Sequence, residues 1–454
     1  MRQKINNKDI FETMPIGKAL KTMAVPTIIS QIIVLIYNLA DTFFVGKTNN
    51  PYMVAAASLV LPVFNICLSI ASLTGVGGGS LISRLLGENN EQEAKKVSSF
   101  SIYISIFVTA LFSILMGIFI TPILHLLGAD ENTILYARQY AFCVIVLGGV
   151  PTVLSNVLSN LLRSVGVSKE AGFGITFGGL VNIALDPLFM FVLLPKGNEV
   201  LGVGIATCIS NCLACVYFIC VILKIRRKSV ITFSIKAGMP EKNSIYSVFN
   251  VGIPSALATL LFDLDYIVID KLMVGYGNIA LASIGIVLKA ERLPLNVGIG
   301  LCQGMMPIVA YNYSSKNYQR MKDTIKYSRR IGLITSAVSI ALYEILAVYI
   351  MKMFIADTET VALGTDFLRI RVLATPLMFM SFFTVYLFQA FGKGNTALFL
   401  GVMRWLAFNI PMLFLLNHII GMYGIVWSQI TADVLTVVLS LYVYKKYENK
   451  YLIV

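Results

Sequence analysis

Twelve runs of about 20 predominantly apolar residues follow one another along this chain, with no long polar segment between them. Each is long enough to cross a hydrocarbon core of roughly 30 Å. They lie near 20–45, 52–80, 98–120, 133–160, 171–194, 201–223, 248–274, 279–310, 331–353, 365–391, 397–417 and 422–444. None shows the apolar–polar alternation of a barrel strand, so the expected architecture is all-α and polytopic, with twelve transmembrane helices. The composition agrees: of 454 residues, 57% are hydrophobic and 13% charged, too few charges to coat a soluble protein of this size.

The net charge of +13 does not point to nucleic acid, because its distribution follows membrane topology. Basic residues gather in alternate connections: Lys4, Lys8, Lys18 and Lys21 before the first run, Arg84, Lys95 and Lys96 after the second, and Lys224 to Lys228 after the sixth. Lys316 to Arg330 and Lys445 to Lys450 continue the series. By the positive-inside rule both termini and the central loop are expected in the cytoplasm. The N-terminal arm lacks the apolar core of a cleaved signal peptide, so the first span is expected to stay. All seven cysteines fall within the runs, and Cys212 and Cys215 have no His or carboxylate beside them to suggest a metal or redox site. No cofactor and no metal are expected.

The chain repeats itself. The decapeptide YNLADTFFVG (37–46) returns as YIVIDKLMVG (266–275), and VPTIISQ (25–31) as IPSALAT (253–259). The glycine-rich GVGGGSLISRLLG (75–87) has its counterpart from residue 298 onward. The displacement is about 220–230 residues, or six spans. Six is even, so the halves run the same way through the membrane and are expected as two six-helix lobes, related by a pseudo-twofold axis along the membrane normal with a cleft between them. The expected division is 1–223, a linker at 224–247, and 248–454.

An intramembrane carboxylate is expensive, about 2.5–3.5 kcal/mol on insertion scales, and is kept for a reason. Asp41 has Tyr37 four and Asn38 three residues before it, on one helical face. In NIALDPLF (182–189), Asn182 and Asp186 are four apart, and Pro187 leaves the carbonyl of Ile183 without its helical donor. Together these oxygens suit a hard monovalent cation, or a carboxylate pair sharing one proton. Asn156 and Thr207 could complete the set. The same groups could instead be a polar lock between helices.

The acids of the second half are Asp263, Asp265, Asp270 and Glu291. Asp270 is expected to pair with its neighbour Lys271. Glu291 stands between Lys289 and Arg292, and is either neutralised by them or turned to the cleft to attract cationic compounds. Phe64, Gln303, Met305, Met306, Met378 and Phe382 are candidate liners of an adaptable apolar cleft, with helix packing the competing role. Gly75, Gly77, Gly78 and Gly79 follow no strand and lack a P-loop lysine, so they read as close helix packing.

YNLADTFFVG, NIALDPLF, the paired glycine-rich spans and the two six-span halves resemble the multidrug and toxic compound extrusion (MATE) family over roughly residues 12–446. The resemblance implies a twelve-helix antiporter exporting amphipathic, mostly cationic small molecules in exchange for protons or sodium ions. It also implies that Tyr37, Asp41, Asn182 and Asp186 carry the proton or cation, with Asn156 and Thr207 matching less closely. A sodium ion would sit at Asp41, Asn182, Asp186 and Thr207. Glu291 and Asp263 match acids near the substrate in other branches, and Gln303, Met306, Phe64 and Met378 complete the expected substrate set. A monomer in a bacterial plasma membrane is expected. Two other classes stay open: a flippase for a lipid-linked polyanion, which needs a basic cavity, while Arg163, Arg369, Arg371 and Arg404 sit toward span ends; and a prenyltransferase-like enzyme, suggested by DLDYIVID (263–270).

Overall fold

A computed structural model describes residues 7–451, apart from the side chains of Asn7, Phe262, Asp263 and Tyr451. Its spans are α1 (Ile16–Gly46), α2 (Pro51–Gly87), α3 (Glu91–Leu126), α4 (Ile134–Leu147 with Gly149–Ser164), α5 (Ser168–Leu193) and α6 (Glu199–Ile225). After the central loop come α7 (Lys242–Val274), α8 (Asn278–Ser314), α9 (Tyr318–Phe354), α10 (Thr358–Val372 with Thr375–Ala390), α11 (Gly394–Ile420) and α12 (Met422–Lys450). Among the described residues ten helices are long and apolar enough to cross a membrane singly, and α4 and α10 are bent pairs that bring the number to twelve when each pair is one span. In hydrocarbon every backbone N–H and C=O needs a partner in its own segment, and the helix supplies it.

The helices overrun the apolar windows. Hydrophobicity locates lipid, whereas side-chain caps set where a helix starts. Asn50 accepts the N–H of Tyr52, Asn90 that of Glu93, Asn317 that of Arg320, and Asp357 that of Thr360.

Two spans bend where α-helical bonding is interrupted. α4 turns by 47° at Gly148, after a π-helical stretch at Phe142–Leu147, and α10 turns by 45° before Thr375. α5 passes into a π-helical turn at Phe189–Leu193, immediately beyond Asp186 and Pro187. Such turns displace the register of a helix and re-aim its side chains.

Helix α1 is shared between two environments. Its first turns, including Leu20 and Ala24, sit in a core with Met305, Met306, Phe383 and Phe388 of the second half. Farther along, Tyr37 and Asp41 meet α5. The two halves touch closely along α1 against α8 and α2 against α7. Glycine makes this possible: a Cβ on Gly252 would lie 1.9 Å from the carbonyl oxygen of Leu73, and one on Gly77 2.2 Å from that of Val248. Gly304 against Ala24 and Gly300 against Ile28 do the same for α1 and α8. All these positions lie toward the face that carries both described chain ends. Near the opposite face, Gly46, Gly275 and Gly285 have no such close neighbour from another helix.

Between α6 and α7 the chain docks on α3. Ser98 and Ser99 bond the backbone of Thr232 and Ser234, Tyr103 donates to the carbonyl of Phe233 at 2.6 Å, and Glu93 accepts the N–H of Glu241 at 2.7 Å.

Candidate functional site

α1 and α5 approach at backbone distance because α5 offers glycine at the contact. A Cβ on Gly172 would lie 2.4 Å from the carbonyl oxygen of Pro26, and one on Gly179 would press Ile33 at 2.8 Å and Tyr37 at 3.1 Å. That approach brings the carboxyl of Asp41 into hydrogen-bonding contact with that of Asp186. The amide of Asn182 donates to Asp186 Oδ1 and to Thr207 Oγ1, both at 3.3 Å. Asn182, Asp186 and Thr207 are buried.

Among the described residues three oxygens in this cluster have no donor: Asp41 Oδ1, Asn182 Oδ1 and Asp186 Oδ2. Two carboxyl groups in contact, with one amide to serve them, cannot both hold a bare charge away from water. A proton shared between them, or a small cation among the free oxygens, resolves the conflict. Tyr140 of α4 lies within electrostatic range of Asp41, Asp186 and Tyr37 and was not singled out from the sequence. Its signal was weak, since a tyrosine near a span end is ordinary.

Two residues expected here make none of the cluster's hydrogen bonds among the described residues. Asn38 is exposed, because three residues of helix rotate it about 60° past Asp41 on the side away from Tyr37. Asn156 spends its amide on the carbonyl of Thr152, 2.8 Å away in its own helix.

The acids of the second half differ more from expectation. Glu291 lies at a break in α8 and is neutralised by neither sequence neighbour. Arg371 of α10 grips it with two hydrogen bonds, Nε to Oε2 at 2.7 Å and NH2 to Oε1 at 2.8 Å, with both side chains buried. Tyr266 adds a bond at 3.3 Å, and Arg292 stacks on the Tyr266 ring. Asp265 accepts from Asn409, and Arg404 pairs with Asp433 at 2.9 Å beneath a bond from Gln429. Arg371, Arg404 and Arg163 are all buried; Arg371 and Arg404 lie within their spans, whereas Arg163 stands at the end of α4 as the sequence suggested. Asp433 was overlooked, although one acid inside an apolar run is the usual sign of such a partner.

Asp270 and Lys271 are both exposed and form no ion pair within 4.0 Å among the described residues, since adjacent helical positions point about 100° apart. Asp263 lies outside the described side chains.

The expected substrate liners fall into three places. Glu291 and Met378 border a crevice of about 10 Å³ in the second half, with Arg371 and Phe382. Gln303 and Met306 border a separate cavity of about 20 Å³ between the halves. Phe64 packs on the core of the first half. Neither of these two spaces holds more than about one water. Gln303 is instead a tie across the halves: its Oε1 accepts from Gln31 at 3.0 Å and from Arg163 at 3.4 Å, and its amide reaches Tyr386 at 3.4 Å.

Comparison with known proteins places this geometry. The MatE family model matches twice, over residues 26–188 and 254–415. The multidrug export protein MepA of Staphylococcus aureus (strain MSSA476) is 32% identical over 424 residues, covering 93% of this chain and 92% of the relative. MepA of Staphylococcus haemolyticus (strain JCSC1435) is 31% identical over 440 residues, covering 97% and 96%. Among solved structures, an outward-facing multidrug resistance MATE family transporter superposes with a TM-score of 0.91 at 21% identity, covering 98% of each chain. A MOP superfamily transporter from Pyrococcus furiosus gives 0.88 at 22% identity, covering 98% and 99%.

Proposed function

The chain belongs to the MATE family of membrane transporters, and from that premise we propose that it is a multidrug exporter, driven by inward flow of protons or sodium ions, that carries amphipathic, mostly cationic compounds out across a bacterial plasma membrane. It is a transporter and not an enzyme. The observation that carries the coupling is the trio of unpartnered oxygens on Asp41, Asn182 and Asp186, buried between α1 and α5. Tyr37 and Thr207 complete the cluster. Protonation or ion loading relieves the repulsion between the two acids and changes how α1 packs on α5. Because the first turns of α1 belong to the core of the second half, that change reaches the contact between the halves.

The two units, 1–223 and 248–454 joined by 224–247, rock about their contact in alternating access, with both termini cytoplasmic and one chain sufficient. Glu291, Asp263, Gln303, Met306 and Met378 are assigned to the cleft when the halves part. A polyanion flippase finds less support, since Arg371 and Arg404 are each neutralised by an acid.

Ethidium efflux in proteoliposomes, with pH and sodium gradients imposed separately, tests the reading. Transport should follow one gradient and disappear in Asp41→Asn and Asp186→Asn. Undiminished gradient-driven export in both variants would move the coupling elsewhere.

A further inference from the structure

Arg163, near the end of α4, is a buried arginine that no carboxylate answers among the described residues at the contact between the halves. It is 7% exposed. Its NH1 donates to Asn160 Oδ1 at 3.1 Å and to Gln303 Oε1 at 3.4 Å, and its Nε has no partner. No carboxylate lies within 4.0 Å of it among the described residues, whereas Arg371 and Arg404 each have one. Its acceptors are neutral amides, and the phenol of Tyr386 faces it. A desolvated guanidinium held only by neutral acceptors lacks the one partner that best offsets its burial, which is an anion.

The cavity beside it is built for a small group. Arg163, Asn160, Gln303 and Tyr386 supply polar walls, and Gly75 and Gly79 of α2 form an apolar floor. Those glycines let α4 come close: a Cβ on Gly75 would stand 3.0 Å from the Asn160 amide nitrogen. The space is about 20 Å³, enough for one water or the tip of a carboxylate.

We propose that this cavity is the subsite for a carboxylate carried by the transported compound, with Arg163 as its anchor. The carboxylate takes the free Nε and the NH2 beside it in a two-pronged grip, the same side-on fork by which Arg371 holds Glu291, while NH1 keeps Asn160 and Gln303. The inference rests on the export reading for the compound's route, but the subsite can be tested by binding alone.

The test uses full-length protein in nanodiscs and two dyes differing in one group: rhodamine 6G, a cationic ethyl ester, and its zwitterionic free acid, each followed by fluorescence polarisation. Arg163→Gln should weaken the free acid about tenfold or more while leaving the ester within about twofold, and Arg163→Lys should fall between. In the unmodified protein, benzoate should displace the free acid and benzamide should not, which keeps the test open if the Gln variant folds poorly. Equal weakening of both dyes, or of neither, overturns the proposal. Competition by chloride as effective as that by benzoate also overturns it, in favour of a free inorganic ion. Failure of the unmodified protein to bind either dye counts against the export reading itself, a result distinct from these.

Discussion

Arg371 holds Glu291 by two parallel hydrogen bonds of 2.7 and 2.8 Å across 80 residues of sequence, with both side chains buried. Cutting a buried pair on one side leaves a bare charge, at a cost of about 3–5 kcal/mol, whereas replacing both partners together is far milder. Arg371→Met and Glu291→Leu should each lower the thermal unfolding temperature in detergent strongly. The double variant should recover most of the loss. Additive losses would mean that the two residues do not act as a pair.

Asn182 serves both Asp186 and Thr207 with one amide nitrogen. Asn182→Ala removes the donor that remains to Asp186 and leaves the two acids facing each other with less compensation. Gradient-driven ethidium export should fall by about tenfold or more, a loss of the size one charge-assisted hydrogen bond can cause. Dye binding to the purified protein should stay unchanged. Loss of binding in parallel would make Asn182 a general folding residue.

Gly252 stands so close to Leu73 that a side chain there meets backbone, which cannot swing aside. Gly252→Leu should hold α2 and α7 apart and expose the tie at Gln31, read as faster labelling of a Gln31→Cys variant by a membrane-impermeant maleimide added to the face carrying the chain ends. Gly46→Ala, with open space around it, is the control and should change stability by less than about 0.5 kcal/mol. Equal labelling in all three backgrounds would remove Gly252 from the closure.

Arg320 of α9 straps the segment before α1 to the second half. It donates to the carbonyls of Phe11 and Met14 at 2.6 Å and of Ile10 at 3.1 Å, while Phe11 stacks on Tyr311 at 5.0 Å. Arg320→Gln shortens the reach and removes the charge from these bonds. Tryptic cleavage at Lys8 and Lys18 should accelerate about tenfold, as expected if local opening becomes cheaper by about 1.4 kcal/mol. An unchanged cleavage rate would show that Phe11 and Tyr311 suffice.

Much of this protein is written along its chain in one dimension. The twelve spans follow from apolar runs, because a segment without water must close its own hydrogen bonds and the helix does so locally. Asp41, Asn182 and Asp186 were legible for the same reason: each is a polar group in a stretch where burial penalises it, and a four-residue spacing fixes the face it shares. The stripe from Gly75 to Gly79 likewise announced close packing.

Tertiary structure decided everything that depends on which helices meet and at what rotation. Arg371 and Glu291, or Arg404 and Asp433, carry no mark in sequence that joins them. Lys289, Arg292 and Lys271 looked like partners only because they are adjacent. Asn38 turns away from the Asp41–Asp186 cluster by a helical rotation, and Asn156 spends its amide on a local hydrogen bond, neither of which composition encodes. Arg163 is an end-of-span arginine, as its position suggested, but only the approach of α2, α8 and α10 encloses it. Hydrophobicity is a local property that a segment keeps wherever it packs; a charge acquires its meaning from the neighbours that the fold supplies.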